Sequence, residues 1–166
     1  LLVFARSWEA YRSLKQQFFE HTITRRYDVV VHGVFKPSAS AAKASTTARL
    51  EHLLIEDENT GIVRVTTDMK VGKLAILDYE VVRNDPGRKL AHLRCTLFTG
   101  RKHQIRVQLR AIGHAVCGDV LYGRGDEPPG RLALHASYLA FDHPATHRKV
   151  RYESPMPGSF AHLFRS

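Results

Sequence analysis

The sequence is poor in several features that define large classes of proteins. Its two cysteines, Cys95 and Cys117, lie far apart and form no Cys-x-x-Cys or other paired metal-ligand spacing. The ten histidines are scattered rather than clustered, so the pattern indicates no metal site. No apolar run approaches the length of a membrane span, and no segment repeats. We therefore expect reduced thiols in a cytoplasmic protein, with no metal and no membrane partner.

Acidic side chains are scarce relative to basic ones. Lys and Arg number 25 against 16 Asp and Glu, which gives a net charge of +9. Such an excess favours a polyanionic partner, RNA or DNA before a membrane, because neutralising phosphates releases their counterions. A basic protein without such a partner is the alternative that composition leaves open.

The spacing of apolar and turn residues predicts one α+β domain over residues 1–166, a length that suits a single core. We expect a mostly antiparallel mixed sheet with a few flanking helices, and a mobile surface loop over residues 35–48. The predicted strands are 1–5, 24–31, 49–55, 63–67, 74–83, 90–98, 132–141 and 149–152. The predicted helices are 8–20 and 103–112. Phe160, Leu163 and Phe164 are expected to dock the C-terminal tail on the rest of the domain.

A basic cluster follows the predicted strand that ends at Phe98. Gly100 is expected to give a conformationally free joint between this strand and the next helix. Such a cluster can present guanidinium groups and helix N-terminal amides to one anion, although a solvated helix face is the alternative. Its cationic residues are Arg101, Lys102, Arg106 and Arg110.

The motifs around this cluster resemble, in their order, those of the RluA-like pseudouridine synthases. Residues 99–106 (Thr-Gly-Arg-Lys-His-Gln-Ile-Arg), 113–114 (Gly-His) and 118–123 (Gly-Asp-Val-Leu-Tyr-Gly) resemble that family's third motif. Because several motifs cover nearly the whole chain, the match is specific. Further matching segments are Leu134-His135-Ala136, His143-Pro144 and Pro155-Met156-Pro157. Residues 1–6 and Arg26-Tyr27 resemble the segment that leads to the family's tyrosine.

This resemblance implies isomerisation of uridine to pseudouridine in structured RNA, either rRNA or tRNA, without a cofactor. In that family an aspartate attacks or deprotonates the ribose, the N-glycosidic bond breaks, and the freed uracil turns and reattaches through C5. An aromatic ring and an apolar side chain can hold the faces of a flipped base. The runner-up is a non-catalytic RNA-binding module with the same fold, and a basic structural protein of a ribonucleoprotein is a weaker third. The oligomeric state is left open.

Two residues match the family's catalytic positions, and a third matches a position that contacts the target base. Tyr27 matches the tyrosine that contacts the uracil and is a candidate base for the C5 proton, with packing on the sheet as the alternative. Arg106 matches the arginine that pairs with the catalytic carboxylate, where a planar fork orients the carboxylate and favours its ionised form. A surface helix arginine is the alternative. Ile105 matches the apolar residue near the target base, and plain core packing is its alternative.

Other residues match positions that bind RNA or support the motif. Arg101, Lys102 and Arg110 are assigned to RNA phosphates, with a solvated face as the alternative for Lys102 and Arg110. Asp119 is expected to fill a turn or cap position rather than a catalytic one. His103 and Gln104 are expected to form local hydrogen bonds, and Arg25, Arg26, Arg148, Lys149 and Arg151 to widen the basic surface.

One family motif does not occur in the sequence. The family's catalytic aspartate lies in an Arg-Leu-Asp motif just before the strand that residues 1–5 match. Neither Asp28, beside the tyrosine, nor Asp85, in a hairpin turn, fits that position. We therefore expect the chain to be an N-terminally truncated part of a synthase domain that is inactive by itself. Degeneration of the motif is the less economical alternative.

Overall fold

The computed structural model describes residues 1–35, 47–125 and 130–164, which form one seven-stranded sheet with three helices. The elements are α1 (Trp8–Phe19), β1 (Thr24–His32), β2 (Thr47–Glu56), β3 (Val63–Thr66), β4 (Lys73–Asp85), β5 (Leu90–Leu97), α2 (Gln104–Ala111), β6 (Leu134–Asp142), β7 (Lys149–Glu153) and α3 (Gly158–His162). The strands lie in the order β3-β2-β4-β5-β1-β6-β7, and each adjacent pair is antiparallel. The predicted α+β class with a mostly antiparallel sheet is confirmed.

Strand β1 lies inside the sheet, between β5 and β6. Its β-branched run Val29, Val30 and Val31 is fully buried, as expected for a strand whose two edges and two faces are covered. The predicted hairpin of β4 and β5 is also present, and alternate residues of β5 are buried along its whole length. These central strands carry the main core.

Helices α1 and α2 cover the same face of the sheet. In the strand register Leu139, Arg25 and Leu97 lie side by side on β6, β1 and β5, and directly opposed residues project to one face. Leu139 packs in a cluster with Leu14 of α1, whereas Leu97 belongs to the cluster that contains Ile105 of α2. The middle of this face, around β1, therefore lies between the two helices.

Ser7 is the N-cap of helix α1, but most of the apolar residues of this helix do not enter the core. The Ser7 hydroxyl accepts a hydrogen bond from the Ala10 N–H at 3.2 Å. Leu14 is buried, whereas Trp8 and Tyr11 are exposed and stack on each other with ring centroids 5.1 Å apart. The helical spacing of apolar residues thus predicted the helix correctly without predicting which side chains it buries.

The prediction of a first strand over residues 1–5 is wrong. This segment joins no strand of the sheet, and its Leu1 ammonium donates one hydrogen bond to the Ala136 carbonyl at 3.0 Å. Both edges of β6, the nearest strand, are already paired with β1 and β7. The side chains of Leu2 and Phe4 are 84% and 80% exposed, so this segment is not the buried strand that the sequence predicted.

Two predicted features fall partly outside the described residues. Most of the loop predicted over residues 35–48 lies there, as positions 36–46. At its ends, Phe35 is buried with its backbone bonded to the Asn84 amide at 3.1 and 2.9 Å, and Thr47 begins β2. Residues 126–129, between the 118–123 segment and β6, also lie outside the described residues. In the described ranges, no helix is long and apolar enough to cross a membrane.

The C-terminal tail docks through aromatic residues, as predicted. Phe160 of α3 and Phe164 beyond it are 2% and 8% exposed and belong to the main core cluster, with Leu163 packed against it. The edge of the Phe160 ring meets His135 on β6, with centroids 6.5 Å apart. These contacts fix the tail to the sheet.

Candidate active-site cleft

The joint between β5 and α2 is built by a buried glutamine. Gln104 is 2% exposed, and its Oε1 accepts hydrogen bonds from the Thr99 hydroxyl at 2.8 Å and the Arg101 N–H at 3.0 Å. The Thr99 hydroxyl in turn accepts the Ile76 N–H at 2.8 Å. These bonds tie the joint to β4, which agrees with the local hydrogen-bonding role expected of Gln104.

The left-handed residue of this joint is His103, with φ at 54°, rather than Gly100, where the sequence placed the conformational freedom. Gly100 instead leaves space for a side chain of β1. A Cβ at this position would lie 2.8 Å from Nη1 of Arg25, which is closer than real Cβ contacts permit. The glycine therefore allows a guanidinium group from β1 to approach the joint.

Helix α2 presents an apolar and amide face to the sheet. Ile105 and Leu109 are 4% and 0% exposed and join the main core cluster. Gln108, also fully buried, donates to the Leu50 carbonyl at 3.2 Å and the Ala75 carbonyl at 3.1 Å. The helix is thereby held across β2 and β4, and Arg106 projects from its other side toward the loop after residue 117.

Arg106 is fixed by a carboxylate of the chain itself. Its Nε donates to one oxygen of Asp119 at 2.8 Å and its Nη2 donates to the other at 2.7 Å, which is a bidentate ion pair. Asp119 is 1% exposed and also accepts the N–H groups of Leu121 and Tyr122 at 3.0 and 2.9 Å. Asp119 thus closes a turn, as the sequence suggested, and in addition holds Arg106, which the sequence did not indicate.

The charges of this pair reinforce each other. Burial alone would raise the pKa of Asp119, but the hydrogen bond from Arg106 and the backbone bonds from Tyr122 and Leu121 bring this pKa below its ordinary value. The same hydrogen bond raises the pKa of Arg106. Both groups are therefore ionised at neutral pH. Within the described chain, Nη1 of Arg106 makes no hydrogen bond.

The loop of residues 118–123 is clamped to α2 through Tyr122. The Tyr122 hydroxyl accepts the Val63 N–H at 2.8 Å and is hydrogen-bonded to Nδ1 of His103 at 2.9 Å. Burial lowers the pKa of His103, and the charges of Arg106 and Lys102 lower it further. Arg110 completes the clamp, because its Nη1 donates to the carbonyls of Tyr122 and Gly123, both at 2.8 Å.

Arg101 and Lys102 lie on the surface at the start of α2. The Nε of Arg101 donates to the Leu74 carbonyl at 3.0 Å, and Lys102 forms an exposed ion pair with Glu56. Both line an open cavity between the joint and β2. Their charges are accessible to a large polyanion.

Tyr27 lies in the middle of the helix-covered face, between α1 and α2. It pairs with Cys95 on β5 and Ala136 on β6, and it packs against the core cluster that contains Ile105. It also lines a cavity of about 200 Å³ together with Phe18 and Arg25. Burial raises the pKa of Tyr27, and the charge of Arg25 offsets only part of this effect, so the phenol is neutral at neutral pH.

The structure therefore brings the residues singled out in the sequence into two groups. Tyr27 and Ile105 share one core cluster, whereas Arg106 and Arg110 converge on the 118–123 loop. No described hydrogen bond or ion pair joins Tyr27 to Arg106. The part of the chain that is described contains no group of three or more His, Cys, Asp or Glu side chains placed to hold a metal ion.

The chain is similar to proteins described as RNA pseudouridine synthases. Residues 1–111 match the family model described as RNA pseudouridylate synthase. Ribosomal large subunit pseudouridine synthase D of Zymomonas mobilis is 33% identical over 99% of this chain and 51% of its own length. The uncharacterized RNA pseudouridine synthase YlyB of Bacillus subtilis is 34% identical over 100% of this chain and 51% of its own length. The chain thus spans about half the length of the curated relatives it matches.

Solved structures agree with this comparison. Human RNA pseudouridylate synthase domain containing 1 superposes with a TM-score of 0.70 at 25% identity, covering 91% of this chain and 62% of that one. The human domain containing 4 shares the fold, with a TM-score of 0.72 at 18% identity over 95% of this chain and 67% of that one. The match over residues 1–111, with the motifs and the sheet described above, shows that the chain belongs to the RNA pseudouridylate synthase family.

Proposed function

We propose that this chain supplies most of the catalytic cleft of an RNA pseudouridine synthase that converts uridine to pseudouridine in rRNA or tRNA, without a cofactor. The observation that carries the proposal is the state of Arg106. Its fork is fixed by Asp119, it is ionised, and its Nη1 has no hydrogen bond to the described chain. The name of the Zymomonas mobilis relative, which refers to the large ribosomal subunit, supports an rRNA substrate.

In this proposal Arg106 holds the catalytic carboxylate through Nη1 while Asp119 holds Arg106. A guanidinium group has five N–H donors, so a bidentate pair with one carboxylate leaves donors for a second. The second carboxylate is then oriented by a cation that cannot rotate, and its ionised form is favoured. An ionised, oriented carboxylate is what a nucleophile or base at the ribose requires.

Tyr27 is proposed to contact the uracil as a neutral phenol. A role as the base that removes the C5 proton would need the phenolate, and burial opposes that form by raising the pKa. Ile105, on the same core cluster, provides the apolar surface near the base. An aromatic ring and an apolar side chain can hold a flipped base without reading its neighbours.

Arg101, Lys102 and Arg110 are proposed to bind RNA phosphates. Arg101 and Lys102 are exposed, and the ion pair of Lys102 with Glu56 is accessible to exchange with a phosphate. Arg110 uses Nη1 to hold the 118–123 loop, so only its other nitrogens remain for a phosphate. We therefore expect Arg110→Ala to reduce stability as well as RNA affinity.

Tritium release from RNA labelled at uridine C5 tests the activity. We expect no release by the 166 residues alone, because the sequence contains no Arg-Leu-Asp. Turnover by these residues would mean that one of their own aspartates is the nucleophile. In an active protein containing this chain, Arg106→Ala should lower kcat by about a hundredfold or more, with little change in RNA affinity. A loss confined to affinity would instead make Arg106 a phosphate contact.

The missing Arg-Leu-Asp also favours a second candidate, a non-catalytic RNA-binding module with the same fold. The two candidates differ in the coding sequence upstream of Leu1. An Arg-Leu-Asp there would support the enzyme, and a complete coding sequence without it would support the binding module.

A further inference from the structure

One cationic side chain near Tyr27, that of Arg25, has no ion-pair partner among the described residues. Arg25 lies two residues before Tyr27 on β1 and projects to the same face, between α1 and α2. Its guanidinium lies over the ring of Phe18 from α1, with its central carbon 5.5 Å from the ring centroid. On the other side, Nη1 approaches Gly100 in the space that a Cβ would occupy.

The hydrogen bonding of this guanidinium is incomplete. Nη2 donates to the Thr99 carbonyl at 3.3 Å, a long bond, whereas Nε is buried without any partner. Burial lowers the pKa of Arg25, which shows that its charge is partly removed from water. Among the described residues, no carboxylate lies within ion-pair distance of it.

A desolvated charge without a counter-ion is costly, so buried charges in native proteins are normally paired. Two other arginines near the candidate site, Arg106 and Arg110, have strong partners. Arg106 pairs with Asp119, and Arg110 donates to two carbonyls. Arg25 is the exception, and it opens onto the cavity that Tyr27 and Phe18 also line. An anionic group entering this cavity would satisfy it.

We propose that Arg25 binds a phosphate of the RNA backbone next to the target uridine, so that β1 contacts the base through Tyr27 and the backbone through Arg25. This assignment rests on the proposed function, because it takes the cavity beside Tyr27 as the place where the uridine enters. Phe18 and Gly100 are positioning residues in this arrangement, since they hold the guanidinium from two sides.

The test measures binding of a stem-loop RNA with a uridine-rich loop, between about 0.05 and 0.2 M salt, by fluorescence anisotropy. Losing one phosphate contact lowers the slope of log K against log salt concentration by about one. We expect Arg25→Gln to show this decrease and to weaken binding by about tenfold. Arg25→Lys should keep the slope but bind more weakly, because an ammonium group cannot form the planar fork.

Arg49→Gln is the matched control. Arg49 lies on the opposite face of the sheet and forms an exposed pair with Asp78, so this variant should leave the slope unchanged. Thermal unfolding followed by circular dichroism identifies variants that fail to fold. If Arg25→Gln does not fold, Arg25→Lys decides, and wild-type affinity of the folded Lys variant at every salt concentration overturns the proposal.

If Arg25 pairs with a carboxylate from elsewhere in the protein instead of an RNA phosphate, the binding experiment gives a different result. Arg25→Gln would then lose stability while its salt slope stayed at the wild-type value, and the proposal would be wrong. Failure of the proposed function is distinguishable, because it appears as absent tritium release from an Arg-Leu-Asp-containing protein that still binds RNA. If the salt slope still depends on Arg25 in that case, the phosphate site at Arg25 stands and only the proposed reaction is wrong.

Discussion

Asp119 shows how much one buried carboxylate can organise. It accepts two side-chain hydrogen bonds from Arg106 and two backbone hydrogen bonds from its own turn. Removing one partner of a buried ion pair leaves the other charge uncompensated, which costs far more than the pair contributes relative to an apolar replacement. The position of Arg106 and the conformation of the 118–123 loop therefore depend on the same side chain.

We predict that Asp119→Asn lowers the free energy of unfolding at pH 7 by about 3 kcal/mol, measured by urea denaturation. Asp78→Asn, which removes the carboxylate of an exposed pair with Arg49, should change it little. Equal losses in the two variants would contradict the central role of Asp119.

The lowered pKa of Asp119 makes the free energy of unfolding depend on pH. A carboxylate that ionises more readily in the folded state stabilises the fold above its unfolded pKa, near the ordinary value of 3.8, and this contribution disappears as pH falls further. We expect the stability difference between wild type and Asp119→Asn to shrink as pH falls below about 4. Urea denaturation at pH 7 and at pH 3 measures it.

His103 should make stability sensitive to mildly acidic pH. Its Nδ1 is hydrogen-bonded to the Tyr122 hydroxyl, and burial holds its pKa below the ordinary value of 6.5. The unfolded chain therefore binds a proton first as pH falls below 6.5, so stability decreases from there through the lower folded pKa. His103→Asn, which tolerates the left-handed conformation, should flatten this part of the profile.

His147→Asn is the matched control for this prediction. His147 is also a histidine with positive φ, at 53°, but it is exposed on the turn between β6 and β7. Its replacement should leave the profile between pH 5 and pH 7 as in the wild type, as measured by thermal unfolding at a series of pH values. An unchanged profile for His103→Asn would contradict the proposed Tyr122–His103 bond.

At the scale of elements, two glycines with positive φ mark the end of α2 and the start of the clamped loop. Gly113 has φ at 85° just beyond the helix, and no atom lies within 4 Å of the position a Cβ would take. Gly118 has φ at 71°, and a Cβ there would lie 2.7 Å from the Arg131 carbonyl oxygen. The first glycine is required by backbone conformation alone, and the second also by a close backbone approach.

We therefore predict different costs for the same substitution. Gly113→Ala should lower the free energy of unfolding by about 1 kcal/mol, because only the left-handed conformation is penalised. Gly118→Ala should cost about 3 kcal/mol or more, because backbone atoms must also move. Chemical denaturation of both variants measures the difference, and a larger loss for Gly113→Ala would show that the 118–131 approach is not rigid.

At the scale of the whole molecule, stability should decrease from the middle of the sheet to its edges. Strand β1 is paired on both sides and fully buried at Val29–Val31, whereas β3 has four residues and β7 is mostly exposed. The candidate site follows this gradient, since Tyr27 lies on the inner strand β1 whereas Lys102 pairs with Glu56 at the end of β2, next to the edge strand β3.

Hydrogen exchange measured by mass spectrometry should reveal this gradient directly. We expect the amides of β1, β4 and β5 to exchange slowest, near the rate of global unfolding. Those of β3 and β7 should exchange faster, since edge strands open without disrupting the core. Protection of β7 equal to that of β1 would contradict the prediction and indicate that the edge is covered.

Much of the fold could be read from local pattern. The alternation in residues 90–97, the turn at Asn84-Asp85-Pro86-Gly87 and the capping Ser7 each specify an element through neighbours in the chain. The motifs at residues 99–106, 113–114 and 118–123 also indicated the family, because several of them occur along the chain in the order that the family shows. Burial on α1 was not predictable, since the same helical spacing serves Leu14 and the exposed Trp8.

The sequence by itself determined the seven strands of the sheet, helices α1 and α2, the basic character and the family, because these depend on period, composition and contiguous motifs. Only the tertiary structure decided that Arg106 pairs with Asp119, that residues 1–5 join no strand, and that Arg25 lies beside Tyr27 without a counter-charge. Ion pairs, free edges and desolvation depend on which groups meet in space, and a linear pattern carries no record of distances between residues far apart in the chain.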